Sequence, residues 1–159
     1  MTPVMMALNS LLHSKTVPLQ LQLTPMLMCT QSHSWEQPES MALPAGGLMG
    51  HSTTPVGRNK LLAFGGASSG MWDTASDTVT VLSTDTMRWA PVTPSGAATP
   101  QPRVCHAAAM VRDKVYIFGG VAQNGTLLND LWCLDTDTSQ WSRANTYGTV
   151  PVPRRCECL

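Results

Sequence analysis

The sequence predicts an all-β protein built from repeated four-stranded units. Two apolar segments that each end in a Gly-Gly pair lie 54 residues apart. A His precedes each Gly pair and a Trp follows it, at spacings of 55 and 52 residues between the copies. Three markers that recur in one order at a period near fifty residues indicate a repeat architecture. No window shows sustained helical periodicity, so the repeated unit is predicted to consist of strands.

The strands of each unit follow from its short apolar runs and the turn residues between them. In the second unit we predict strands over residues 106–111, 114–118, 131–135 and 140–143, joined by polar turns such as Asn124-Gly125. In the first unit we predict strands over residues 51–54, 60–64, 78–82 and 88–91.

Strands that are apolar on both faces need cover on both faces. Four-stranded sheets stacked around an axis provide that cover. We therefore predict a partial, unclosed β-propeller with two four-stranded antiparallel blades at residues 46–97 and 98–147. Residues 26–45 are predicted to hold the last strands of a preceding blade, and residues 1–25 to be disordered or irregular. Residues 148–159 are predicted to be the truncated start of a further blade, in which Glu157 takes the His position.

The two units resemble kelch repeats. The second supplies an apolar strand ending in Gly-Gly, then Asn129-Asp130-Leu131-Trp132, then a Trp. Its opening, residues 102–106, is similar to the Pro-Arg-x-Gly-His opening of that family, with Cys105 in place of Gly. The first unit departs from the pattern, because Leu48 stands where the Arg is expected. The resemblance covers about residues 46–147, and its markers are His51, Gly65, Gly66, Trp89, Arg103, His106, Gly119, Gly120 and Trp141.

The resemblance implies a protein–protein interaction module, in which loops at the strand ends vary to fit a partner. The candidate loops span residues 67–77 and 121–129. Their candidate contact residues are Ser68, Met71, Trp72, Asp73, Gln123, Asn124 and Leu127. Self-association through uncovered blade faces is a further expectation, since two blades cannot close a ring. A non-functional truncated product is an alternative.

Composition favours a protein partner over a nucleic acid or a membrane. Net charge is zero and charged residues make up 13% of the chain, whereas nucleic-acid binders need clustered basic side chains. The apolar residues near the start are interrupted by His13, Lys15 and Pro18, so neither a spanning segment nor a signal peptide is predicted. The five Cys form no regular framework, which favours free thiols and a cytoplasmic location.

No enzyme, metal or cofactor is predicted. The histidines recur with the repeat, which favours a structural hydrogen-bonding role. The Gly pairs open no helix that could bind phosphate, which favours close packing. The two repeat Trp residues are predicted to pack between blades. Ser52 and His51 lack a nucleophile-elbow context. A catalytic or ligand-binding propeller of the galactose-oxidase-like type is the alternative, although its Tyr–Cys crosslink could use only Tyr116 or Tyr147.

Overall fold

The computed structural model describes residues 28–29, 35–36, 48–68 and 72–155, which form three antiparallel sheets. The first is a two-stranded ladder of β1 (Met28–Cys29) and β2 (Trp35–Glu36), with Cys29 opposite Trp35. Both strands lie within residues 26–45, and the assignment of that range to a preceding blade stays a prediction. The prediction of disorder or irregular structure for residues 1–25 lies outside the described residues.

The second sheet, blade 1, has the strand order β3-β4-β5-β6. Its strands are β3 (Ser52–Pro55), β4 (Lys60–Phe64), β5 (Val79–Ser83) and β6 (Arg88–Val92). The last four residues of β4 are all buried, as its unbroken apolar run predicts. A 3-10 turn at Trp72–Thr74 lies between β4 and β5.

The third sheet, blade 2, consists of β7 (Arg103–Val104), β8 (Ala107–Val111), β9 (Lys114–Ala122), β10 (Leu127–Asp135) and β11 (Gln140–Arg143). Its order is β11-β10-β9, and the two short strands β7 and β8 pair with successive parts of β9. Two blades of antiparallel strands confirm the predicted all-β, partial-propeller fold class. No helix among the described residues is long and apolar enough to cross a membrane.

The second Gly pair lies inside a strand, and the prediction that it ends the strand was wrong. The ladder between β9 and β10 continues past it, with Leu128 opposite Gly120 and Leu127 opposite Val121, after an irregularity between Leu128 and Leu131. The predicted loop at residues 121–129 is therefore largely a β-hairpin, and only residues 123–126 connect its strands. Glycine at positive φ lets the chain bend there without leaving the ladder.

Backbone atoms of a neighbouring segment approach both Gly pairs very closely. Gly65 and Gly120 have φ of 68° and 100°, in the region that side chains disfavour. A Cβ at Gly65 would lie 2.6 Å from the carbonyl oxygen of Arg103, and one at Gly120 would lie 2.7 Å from that of Val104. Each pair therefore provides both an unusual backbone angle and room for the adjoining chain.

The core lies between the two blades. One buried cluster joins residues of both blades. It includes Leu62, Phe64 and Val79 of blade 1 and Ile117 and Trp141 of blade 2. The ring of Phe64 meets that of Trp141 edge-on, with centroids 5.2 Å apart and planes at 62°. Such edge-to-face pairs stabilise beyond the area that they bury.

The two repeat tryptophans have different neighbours. Trp141 is 4% exposed and packs between the blades, as predicted. Trp89 is half-buried and packs against Leu61, Leu82 and Met87 of its own blade, on the other side of the sheet. Trp89 therefore does not pack against blade 2, and its predicted place between blade 1 and another blade stays a prediction. Trp89 and Trp141 occupy equivalent positions and therefore lie on equivalent faces of their sheets. That face of blade 2 packs against blade 1, whereas that face of blade 1 points away from blade 2.

Trp141→Ala should lower the free energy of unfolding by about 3–5 kcal/mol, because it leaves a cavity between the blades. Trp72→Ala is the control, since Trp72 is 50% exposed and its removal opens no cavity. Urea denaturation of both variants measures the effect. Equal losses in the two variants would contradict the packing described above.

Gly120→Ala should destabilise the protein more than Gly57→Ala. Both glycines have positive φ, and the strain of a side chain there costs about 1–2 kcal/mol. A Cβ at Gly57 meets nothing within 4 Å, whereas one at Gly120 meets backbone oxygen. Thermal unfolding of the pair separates strain from steric clash, and equal midpoints would show that the close approach is unimportant.

Candidate interaction surface

A fully buried arginine joins the two blades. The guanidinium of Arg103 donates from Nη1 and Nη2 to the two carboxylate oxygens of Asp130, at 2.7 and 2.9 Å. Nη1 also donates to the carbonyl oxygen of Gly119 at 2.9 Å. This bidentate pairing suits the planar fork of arginine and supplies the acceptors that a buried cation needs.

The main chain of Arg103 binds the other blade. Its carbonyl oxygen accepts from Gly66 N at 3.0 Å, and its own N–H donates to Ser76 O at 3.2 Å. The side chain of Arg103 therefore belongs to blade 2 while its backbone is held by blade 1. The glycine pairs of both blades take part, since Gly119 accepts the side chain and Gly66 binds the backbone.

Asp130 is kept ionised by its hydrogen bonds. Its burial alone would raise its pKa, but hydrogen bonds from Arg103 and from Trp132, together with the Arg103 charge, hold the pKa below the usual value. The Trp132 bond runs from Nε1 to Oδ2 at 2.7 Å. The carboxylate is thus negatively charged at neutral pH, as its ion pair with Arg103 requires.

A histidine forms a second polar contact between the blades. His106 Nε2 and Ser52 Oγ lie 2.7 Å apart. Burial, followed by the charges of Arg103 and His51, lowers the pKa of His106 to about 3. Burial also lowers the pKa of His51. Both imidazoles are therefore neutral at physiological pH. We call Arg103, Asp130, His106 and Ser52 the polar seam.

Ser52 Oγ and His106 Nε2 are as close as a catalytic nucleophile and its general base, but His106 lacks the properties of such a base. No partner binds His106 Nδ1 among the described residues, whereas a catalytic His needs a group that orients it. A pKa near 3 also makes His106 a poor base at neutral pH. The contact therefore supports a hydrogen-bonding role between blades. Across residues 48–68 and 72–155, no cluster of His, Cys, Asp and Glu could hold a metal ion.

Exposed side chains of both blades meet at one end of the molecule. The Trp72 indole lies beside Gly125, where a Cβ would come within 3.5 Å of Nε1. Gln123 Nε2 donates to Ala75 O at 2.8 Å, which ties the blade 2 hairpin to the turn of blade 1. Trp72 is 50% exposed and Leu127 is 45% exposed. Ala75 is buried in one cluster with Val121, the residue opposite Leu127, so packed residues of both blades adjoin this surface.

The other predicted contact residues lie in the same two segments of the chain. Ser68, Asp73 and Asn124 are exposed, and Asn124 Oδ1 accepts from Thr126 N at 3.0 Å within the hairpin turn. Met71 lies outside the described residues. We call five of these exposed residues the loop platform: Trp72, Asp73, Gln123, Asn124 and Leu127.

The sequence analysis missed the partners in the polar seam. Asp130 stands in the quoted Asn129-Asp130-Leu131-Trp132 segment, yet its ion pair spans 27 residues. Ser52 lies 54 residues from His106. The sequence did contain one sign that these two residues interact. In blade 1 both are replaced together, the expected Arg by Leu48 and the Asp by Thr78.

His106 should make stability fall as the pH is lowered from about 6.5. Its folded pKa of about 3 lies below the usual histidine value of 6.5. Between these values the unfolded chain binds a proton that the folded chain does not. The contribution of His106 is thus complete above about pH 6.5 and is lost toward pH 3, by up to about 1.4 kcal/mol per pH unit. Urea denaturation at pH 7, 6 and 5 should show a steeper loss for the native chain than for His106→Gln, and parallel curves would contradict the neutral, buried histidine.

Comparison with known proteins agrees with the repeat analysis. Residues 20–159 match the family described as the KLHDC2/KLHL20/DRC7 Kelch-repeats domain. The chain is 34% identical over 134 residues to host cell factor 2 of Homo sapiens, covering 74% of this chain and 16% of that protein. It is 36% identical over 107 residues to dynein regulatory complex subunit 7 of Chlamydomonas reinhardtii, covering 66% of this chain and 9% of that protein.

A third relative is kelch domain-containing protein 2 of Bos taurus, 31% identical over 124 residues, with 65% of this chain and 30% of that protein covered. The matched region is thus less than a third of each relative's length. Because the family match spans most of the sequence and both repeats, the chain belongs to the kelch-repeat family.

Proposed function

We propose that this chain is part of a kelch-repeat module that binds a partner protein through the loop platform. The observation that carries the proposal is the Trp72 indole, half exposed yet positioned beside Gly125 and above the Gln123–Ala75 hydrogen bond. Tryptophan is enriched among residues that dominate binding energy. A side chain already held in place loses less conformational freedom on binding.

The surroundings of Trp72 suggest the chemistry of the partner. Leu127 adds a second exposed apolar side chain, and Asp73 places an exposed carboxylate next to the indole. A peptide segment with an apolar side chain beside a basic one would complement both features. The apolar side chain would cover Trp72 and Leu127, while the cation would approach Asp73 and the indole face.

This function requires no cofactor and no catalytic group. It is compatible with a cytoplasmic protein, since Cys133 is a buried free thiol. The chain spans less than a third of each relative described above, so we include in the proposal that it represents part of a larger propeller. The galactose-oxidase-like alternative is not favoured by the tyrosines, because Tyr147 is 96% exposed and Tyr116 lies within β9.

Selection from a random peptide display library on the immobilised chain tests this proposal. Selected peptides should pair an apolar with a basic residue, and Trp72→Ala should weaken their binding at least tenfold. Asp73→Lys should shift selection toward acidic peptides. Val111→Ala is the matched control, because Val111 is 55% exposed at a turn outside the loop platform. Peptides that bind Trp72→Ala and the native chain equally would refute the proposed surface.

A further inference from the structure

The turn between β9 and β10 contains an Asn-Gly sequence for a conformational reason. Gly125 N donates to Ala122 O at 2.9 Å, and Ala122 N donates to Thr126 O at 3.0 Å. Gly125 has a φ of 79°, which glycine adopts more readily than other residues. Residues 123–127 are all exposed. The hairpin therefore presents Asn124, followed directly by a glycine, to solvent.

The Asn124 side chain is held against the peptide bond that follows it. Its Oδ1 accepts from Thr126 N at 3.0 Å. A contact of this kind closes a ring like that of a β-turn, which brings Cγ toward the intervening nitrogen of Gly125. The same hydrogen bond withdraws electron density from Cγ, because the donor polarises the amide carbonyl. An electrophilic carbon thus lies near the nitrogen of a residue that has no side chain to obstruct it.

One hydrogen bond opposes a reaction between these two atoms. The Gly125 N–H is bound to Ala122 O, so its proton is released only when that bond opens. Bonds within an exposed turn open at low free energy, because the turn residues bury little surface. A Cβ at Gly125 would lie 3.5 Å from Trp72 Nε1, but that indole is itself 50% exposed. The bond therefore slows the reaction without preventing it.

The other asparagines among the described residues have less reactive surroundings. Asn59 and Asn129 each donate a hydrogen bond from the side-chain amide, at 2.9 and 3.3 Å, and each is followed by a residue with a side chain. A side chain on the attacking residue hinders ring closure. Asn145 is exposed like Asn124, but the β-branched Thr146 follows it. Asn145 is therefore the internal reference for an exposed asparagine without the glycine.

We propose that Asn124 is a site of spontaneous deamidation, which converts a neutral residue of the loop platform into a carboxylate. The Gly125 nitrogen loses its proton to water or hydroxide and attacks Asn124 Cγ. The Cγ–Nδ2 bond breaks and the amide nitrogen leaves as ammonia, so a cyclic succinimide remains. Water then adds to either ring carbonyl, and the ring opens to aspartate or to isoaspartate.

Both products change the loop platform. Either one adds a carboxylate to the turn that lies beside Trp72, the neighbour of Asp73 in the chain. A second negative charge on this surface favours a basic partner segment more strongly. Isoaspartate also adds one carbon to the main chain before Gly125, which disturbs the pairing of Ala122 with Thr126. The chemical step stands on its own, whereas its effect on a partner rests on the function proposed above.

Ageing of the 159-residue chain at slightly alkaline pH tests the proposal. Isoelectric focusing should show a more acidic form that accumulates at least tenfold faster in the native chain than in Asn124→Gln. That variant is the matched control, because glutamine keeps the amide but forms the cyclic intermediate more slowly. Proteolysis and mass spectrometry should place the new carboxylate at Asn124, at a rate at least tenfold above that of Asn145. Electron-transfer fragmentation should detect isoaspartate as well as aspartate.

A synthetic peptide of residues 119–128 sets the reference rate for the same sequence outside the fold, and the folded chain should react within tenfold of it. A chain that stays unmodified while the peptide converts would overturn the proposal, since the turn would then protect Asn124. Equal accumulation of the acidic form in Asn124→Gln, or equal rates at Asn124 and Asn145, would overturn it as well. Aspartate without isoaspartate would also contradict it, because direct hydrolysis of the amide gives aspartate alone.

Discussion

The buried guanidinium of Arg103 is the point on which the arrangement of the two blades depends. Its backbone is bonded to Gly66 and Ser76 of blade 1, and its side chain to Gly119 and Asp130 of blade 2. Removing either member of a buried ion pair costs several kcal/mol, because the remaining charge stays desolvated and unpaired. The apolar core packs the blades against each other. The bidentate ion pair fixes the Arg103 segment on blade 2, and the backbone bonds of that segment to Gly66 and Ser76 then link it to blade 1.

The glycine pairs and the histidines follow from the same constraint. For the Arg103 segment to reach both blades, its backbone must pass within 2.6 Å of the Cβ position at Gly65, which only glycine allows. The crowding buries His106 beside a cation, and its neutral form is therefore favoured. His106 can then contact Ser52 and the edge of Phe64 without adding a second charge to the polar seam. The setting of His106 therefore favours a role in packing and hydrogen bonding between the blades.

Local patterns in the sequence predicted much of the fold, and long-range register accounts for the rest. The bounds of β4 and β11 could be predicted because each is a short run between polar turns. The extension of β9 through Gly119-Gly120 could not be predicted. It exists because β10 pairs with β9 again on the far side of the irregularity between Leu128 and Leu131. The same irregularity brings Asp130 to Arg103, so the ion pair was equally hidden. Trp72 and Leu127 were predicted as contact residues, but their support by the Gln123–Ala75 bond requires the folded interface.

Blade 1 shows that a blade of this fold can lack the ion pair. Leu48 and Thr78 replace the arginine and the aspartate together, so neither residue leaves a charge buried alone. An arginine with no aspartate opposite would be penalised, whereas Leu with Thr is neutral. The pair therefore distinguishes blades by charge while the apolar faces remain similar, which is how specificity arises when shape alone does not discriminate. Arg154 binds Gly120 and Leu128 of blade 2 through its backbone, as Arg103 binds Gly66 and Ser76 of blade 1. The side chain of Arg154 is exposed, so its charge stays solvated and does not carry the cost that a buried, unpaired cation would.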